Sequence, residues 1–234
     1  MLDNVTVIIP YYEDAARLDT IMNRPLLERF KEVIVIDDSS TNRTALPIVR
    51  DAVDDFGGNV RLFRVMVNYG FNAHGCRNLG ATEANTEWLL FLDADMKVNQ
   101  EISPEEFFKF GKDYIAVHHP CHYNTGTGTF ERRLESEACV TGEQQSYYQG
   151  CLWGGRIESV IPMMKLLRDR VDKDYENGII ALWHDESHLN RFFIENQDEV
   201  NALPPDYAFP ECFPNYPYEQ KIIHLAKDNS SYQV

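Results

Sequence analysis

Residues Trp183 to Asn190 read WHDESHLN, a tryptophan, two histidines and two adjacent carboxylates within about two helical turns. His184 and His188 stand at the i, i+4 spacing that puts both on one helix face, as in a helical zinc site. In the metalloprotease pattern a glutamate follows the first histidine directly. Here Asp185 holds that place and Glu186 comes one later, so it projects from a different side of the helix. The plainest alternative is an acidic helix N-terminus, with carboxylates favoured by the macrodipole.

Carboxylates also gather where predicted strands end. Glu13 and Asp14 follow the first strand, Asp37 and Asp38 the second, and Asp93 with Asp95 the fourth. In open α/β sheets, ligands bind at those strand ends. Asp93 and Asp95, separated by one alanine, repel each other unless a cation lies between them. A hard divalent ion, Mn²⁺ or Mg²⁺, shared with phosphate oxygens meets that need. Aspartate is also common in loops after strands, so the triplet counts only together with the motifs around it.

Composition narrows the classes. The chain has 234 residues, 44% hydrophobic and 25% charged, which suits one domain with a substantial core. Acidic residues outnumber Lys and Arg by 37 to 22, for a net charge of −15. Nucleic-acid binding through a basic surface is not expected, and an anionic ligand requires local positive charge from a metal or a few placed cations. No apolar run approaches the ~18 residues of a membrane span, and no signal-peptide layout opens the chain. Five scattered cysteines without a CxxC pair suit reduced thiols and a cytoplasmic setting.

The elements that must position these groups alternate through the first half. Apolar runs at 5–10, 32–38, 60–66 and 87–95 predict strands. Helical spacing covers 14–30, with Pro25 as a break or kink, then 44–56 and 73–84. This order predicts an α/β, Rossmann-like fold with a mainly parallel central sheet flanked by helices. A helix is expected over 103–113, a fifth strand over 113–120 and a long polar loop over 121–145. A helix over about 157–172, the helix carrying WHDESHLN and a short strand within 218–229 complete the reading. The expectation is one domain over 1–234, with a nucleotide-binding half at 1–98 and a sugar-binding half at 99–234.

In order, VTVIIPYYED, VIVIDDSSTN, NAHGCRNLGA and WLLFLDAD resemble the nucleotide-binding half of the GT-A glycosyltransferases, most closely family 2. The resemblance implies a UDP-sugar donor. It places Asp38 (or Asp37) on the uracil or ribose, Asp93 on the ribose or metal and Asp95 on the metal. Arg77 would hold the donor unless it is a plain surface helix residue, and Pro10 and Tyr12 of the first motif would also lie on the donor. The second half is similar to glycosyltransferase family 6, through TFERRLESEACVTGEQQSYYQGCLWGG and ENGIIALWHDESHLNRFF.

That second resemblance puts Glu186 beside the reacting carbon, as nucleophile or as stabiliser of an oxocarbenium-like state. Asp185 would hydrogen-bond the donor sugar, Trp183 would stack a sugar face, and His184 would orient donor or acceptor. His119 and Thr129 match acceptor-holding positions. Gln149 and Cys151 match positions that choose between galactose and N-acetylgalactosamine, where the family carries a hydrophobic residue or histidine, then glycine or alanine. Gln and Cys depart from that pattern and leave the donor sugar open. In the tail, KIIHLAKDN resembles a closing element in which His224 completes a metal shell and Lys227 pairs with phosphate; an ordinary exposed strand end is the alternative. His188 and Asn190 read as structural, seating the helix, and the HHxxH arrangement of His118, His119 and His122 as part of a solvated loop.

The expected reaction is metal-dependent hexosyl transfer from a UDP-sugar to a glycan or glycolipid acceptor. The two resemblances part on stereochemistry, since family 2 inverts with a carboxylate base while family 6 retains. Retention is the expectation because the catalytic carboxylates lie in the second half. A nucleotidyltransferase would need a Gly-rich basic loop after the first strand, which PYYEDAARL lacks. A non-catalytic sugar-binding module would need no metal.

Overall fold

The structure is a computed structural model that describes residues 2–67, 72–100, 102–109, 111–213 and 215–226. In chain order the elements of the first half are β1 (Leu2–Tyr11), α1 (Ala15–Ile21), α2 (Arg24–Arg29), β2 (Phe30–Asp37), α3 (Ala45–Phe56), β3 (Val60–Arg64), α4 (Ala73–Glu83) and β4 (Trp88–Leu92). Next come β5 (Met96–Val98), α5 (Pro104–Phe107), β6 (Tyr114–His118), β7 (Tyr148–Arg156), α6 (Ile157–Glu176), α7 (His184–Glu195), β8 (Val200–Leu203), β9 (Phe209–Pro210) and β10 (Ile222–His224).

Seven strands form one sheet in the order β3-β2-β1-β4-β7-β6-β8. The β1–β2, β2–β3, β1–β4 and β6–β8 pairs are parallel, and β7 runs antiparallel to β4 and β6. The mainly parallel, helix-flanked sheet expected from the sequence is therefore present, with β7 as the strand that breaks the pattern.

Alternation along the strands feeds two cores. Val7 and Ile9 of β1 pack with Leu18, Leu26 and Val49 of α1, α2 and α3. Ile8 between them joins Cys76 of α4, Met163 of α6 and Leu189 of α7 on the other face. Strands buried on both faces read as apolar runs, which is why the first half was legible.

Three of the predicted helices differ in extent from expectation. The 14–30 helix is two helices, because Asn23 accepts a hydrogen bond from the Leu26 amide and caps α2 with Pro25 in its first turn. Asp14 caps α1 in the same way, through the Arg17 amide. The 103–113 helix is the single turn Pro104–Phe107, where Phe107 is buried in the core and Phe108 is already extended. The helix expected to end near 172 runs to Glu176.

Strand β7 was not named from the sequence. Its glycines disfavour a strand by propensity, yet packing requires them: a Cβ on Gly154 would lie 2.1 Å from the Leu89 carbonyl oxygen of β4. The expected long loop is present, since 121–145 holds no regular helix or strand.

Candidate active site

Two strands of the main sheet and two helices bring the site together: the end of β4 and the start of β7, with α4 and α7 packed against them. Asp93 and Asp95 lie in the turn after β4, and the Asp93 amide donates to the Cys151 carbonyl of β7 across 3.0 Å. On β7 the pairing with β6 is irregular, because the partner of Ala116 is Trp153 while that of Val117 is Gln149. Such bulges re-aim backbone and side chains. Here the irregularity presents the Gly150 amide to Glu186 and the Gln149 side chain to His224.

Arg77 ties the carboxylates together. It is 4% exposed on α4, donates from Nη2 to Asp93 Oδ1 at 2.6 Å and from Nη1 to Asp185 Oδ2 at 2.8 Å. It is therefore a buried clamp and not a surface residue. A planar guanidinium can serve two carboxylates at once, which a lysine cannot do in fixed geometry. Burial raises the Asp93 carboxyl above the usual range against the pull of Arg77, and Asp95 and Asp185 add to the rise. Burial also works against ionised Asp185, but Arg77 and His74 outweigh it and hold that carboxyl below the usual range.

Glu186 sits differently. Its Oε1 accepts from the Tyr147 hydroxyl at 2.7 Å and its Oε2 from the Gly150 amide at 2.9 Å. Burial raises its pKa, Tyr147 and Gly150 oppose that rise, and the charges of Asp185 and Asp93 add to it. Two adjacent carboxylates are thus pushed in opposite directions by their surroundings. The Tyr147 hydroxyl also accepts from Thr129 Oγ1 at 3.1 Å, and burial with the Glu186 charge keeps that phenol protonated.

Helix α7 is fixed from below. Asn190 accepts from the Tyr148 amide at 2.8 Å and donates to the Tyr148 carbonyl at 2.7 Å. His188 is buried, with Nε2 3.6 Å from Asp174. Asp174 in turn accepts from the Ser136 hydroxyl and the Glu137 amide, each at 2.6 Å. His188 and Asn190 therefore seat the helix, while His184 begins it with a left-handed φ of 47°.

The acceptor candidates lie around this centre. His119 is in ring contact with Tyr147 at 5.7 Å, and burial together with His122 and His224 pushes its pKa down to about 4. Trp183 is 49% exposed, so it is not a core side chain. His184 lines an open cleft with Phe130 and Arg133. Behind Arg77 and Asp185 a cavity of about 360 Å³ is lined by α4, α6, α7 and Trp153.

The nucleotide candidates are placed at strand ends as expected. Asp38 is buried after β2, accepts from the Asn72 amide at the head of α4 and lies beside the buried Cys76 thiol, which is pushed up to about 12. Pro10 is buried within β1 opposite Ile36, and Tyr12 follows that strand. Cys151 is buried at the bulge. Lys227 lies outside the described residues.

For a metal, Asp95 and His224 are the pair that fits. The His224 Nε2 is 3.3 Å from Asp95 Oδ2, brought there by β10 pairing antiparallel with β5. That spacing is compatible with two ligands of one hard divalent cation, so Asp95 and His224 are the residues that would hold a Mn²⁺ or Mg²⁺ ion. Asp93 faces Arg77 instead, and no group of three His, Cys, Asp or Glu side chains arranged to hold a metal occurs among the described residues.

Sequence reasoning missed Tyr147, His74 and the Gln149–His224 contact. The double tyrosine was visible as a motif, but nothing local showed which partner its first ring would take.

The sheet is consistent with a GT-A, Rossmann-like fold, and comparison with known sequences gives the family. Residues 75–234 match the profile described as Glycosyltransferase family 6, and residues 6–112 match Glycosyltransferase like family 2. The chain belongs to glycosyltransferase family 6. It is 32% identical over 150 residues to the Globoside alpha-1,3-N-acetylgalactosaminyltransferase 1 of Gallus gallus, covering 63% of this chain and 42% of that protein. Against the Histo-blood group ABO system transferase 2 of Rattus norvegicus it is 30% identical over 151 residues, 63% of this chain and 44% of the relative. The O-antigen biosynthesis glycosyltransferase WbnI of Escherichia coli is 29% identical over 148 residues, 62% of this chain and 61% of the relative. The chain thus spans less than half the length of the chicken and rat proteins. No helix among the described residues is long and apolar enough to cross a membrane.

Proposed function

We propose that this chain transfers galactose or N-acetylgalactosamine from a UDP-sugar to a glycan or glycolipid hydroxyl, a β-galactoside being the leading acceptor, with retention to an α linkage. The observation that carries this reading is Glu186, held by Tyr147 and Gly150 beside the Arg77-clamped pair of Asp93 and Asp185. The chicken relative's name, an alpha-1,3-N-acetylgalactosaminyltransferase, favours the same donor class and linkage. The free cysteines favour a reducing, cytoplasmic setting.

In this reading Asp185 is ionised and accepts hydrogen bonds from donor-sugar hydroxyls, while Arg77 fixes its position. Glu186 offers one carboxylate oxygen to the anomeric carbon as positive charge develops there, and Tyr147 and Gly150 hold it in place. Asp38 binds the uracil or ribose. His119, neutral at pH 7, Thr129, Trp183 and His184 receive the acceptor. Asp95 and His224 would hold a Mn²⁺ or Mg²⁺ ion, which would supply positive charge for a diphosphate leaving group in a chain of net charge −15.

A second reading is an inverting transferase in which Glu186 or Asp185 takes the acceptor proton; the raised Glu186 carboxyl suits that role. A panel of UDP-sugars with β-galactoside acceptors and Mn²⁺, scored for glycoside product, tests the transfer itself. Release of UDP without any glycoside from every donor would remove the proposal.

A further inference from the structure

Resemblance puts Gln149 among the residues that read the donor sugar, but its side chain is engaged elsewhere. Gln149 Nε2 lies 3.0 Å from His224 Nδ1, and the opposite ring nitrogen of His224 faces Asp95 at 3.3 Å. An amide N–H can only donate, so in this arrangement Nδ1 accepts and the ring proton sits on Nε2, directed at Asp95. That tautomer cannot bind a cation through Nε2. The carbonyl oxygen of the same amide, Gln149 Oε1, is buried and has no hydrogen-bond partner. A half-turn of the amide exchanges its two ends and places Oε1 on Nδ1. Nδ1 then carries the proton and donates, and the Nε2 lone pair faces the carboxylate of Asp95.

We propose that Gln149 is a positioning residue for His224, whose amide sets the imidazole tautomer and so switches Nε2 between bonding Asp95 and binding a divalent cation beside it. The inference rests on the metal role given above to Asp95 and His224. Metal-bound imidazoles commonly donate their second N–H to an oxygen that fixes ring orientation, and loss of that partner costs about 10–100-fold in metal affinity. Glutamine is suited to both states because it can donate from one end and accept at the other. Leucine can do neither, and glutamate can only accept. The β7 bulge delivers the amide and the short β10 strand delivers the imidazole, so two otherwise separate segments meet on one ring.

Manganese binding in the presence of UDP, read by electron paramagnetic resonance titration of free Mn²⁺, tests this without any turnover. Gln149→Leu should weaken Mn²⁺ binding about tenfold. Gln149→Glu should keep wild-type affinity, because it holds the cation-binding tautomer. In a His224→Ala background, Gln149→Leu should have no further effect. Unchanged affinity in Gln149→Leu, or equal losses in the Leu and Glu variants, would overturn the inference. If Asp95→Asn abolishes binding while Gln149→Leu leaves it intact, this inference fails and the proposed function stands. Absence of UDP-dependent Mn²⁺ binding in the wild type would overturn both.

Discussion

Arg77 and Asp185, 108 positions apart in sequence, meet at 2.8 Å, and the same guanidinium reaches Asp93 at 2.6 Å. One buried cation therefore joins the turn after β4 to the first turn of α7. Arg77→Ala leaves two partly buried carboxylates facing each other uncompensated and should cost about 3 kcal/mol of stability. Arg77→Lys should recover part of that stability but not donor affinity, since a single ammonium cannot hold both carboxylates in plane. Urea unfolding and calorimetric titration with a UDP-sugar would separate the two effects.

Glu186→Gln keeps side-chain shape and removes charge. Turnover should fall by ~10²–10³ if Glu186 acts electrostatically, and further if it is a covalent nucleophile, while donor binding survives. Asp185→Asn should weaken donor binding as well as turnover. Steady-state kinetics and donor titration on the two variants would show whether the losses divide in that way.

Tyr147→Phe tests the tuning of Glu186. The phenol stabilises the ionised carboxylate, so its loss lets burial push the Glu186 pKa higher still. A reaction that needs ionised Glu186 should then show its acid limb moved upward by about one pH unit, by the usual strength of a hydrogen bond to charge. The profile of kcat/KM between pH 4 and pH 8 reads this directly. A limb that stays in place would mean that Tyr147 only packs.

His184 holds a left-handed φ of 47° at the head of α7. That conformation is costly for a residue with a Cβ, so His184→Gly should raise stability by about 0.5–1 kcal/mol while weakening acceptor binding. His184→Val, which tolerates the conformation least, should lower stability. The denaturation midpoints and the acceptor KM of the two variants check both statements.

Much of this arrangement was readable from the chain, for physical reasons. Strands such as Val33–Ile36 are buried on both faces and announce themselves as apolar runs, and Asp93 with Asp95 follows such a run. Strand β7 was hidden because close approach to β4 demands glycine, which propensity argues against. The helix expected over 103–113 was overruled by Phe107, which turns into the core against Tyr207 at 5.2 Å between ring centres. Trp183, Asp185 and Glu186 stood out as a local cluster. Their partners Tyr147 and Gly150 did not, and Arg77 was read as a donor contact without its carboxylate partners, because each arrives from a distant element and only the folded sheet sets its place.

The configuration of the product tests the central claim most directly. The chain would be incubated with UDP-galactose or UDP-N-acetylgalactosamine, Mn²⁺ and a β-galactoside, and the new glycosidic linkage read by proton NMR. The account predicts an α linkage, with the small anomeric coupling of an α-galactoside, formed far more slowly by Glu186→Gln. A β linkage would contradict it, and would make Glu186 or Asp185 a general base in an inverting transfer.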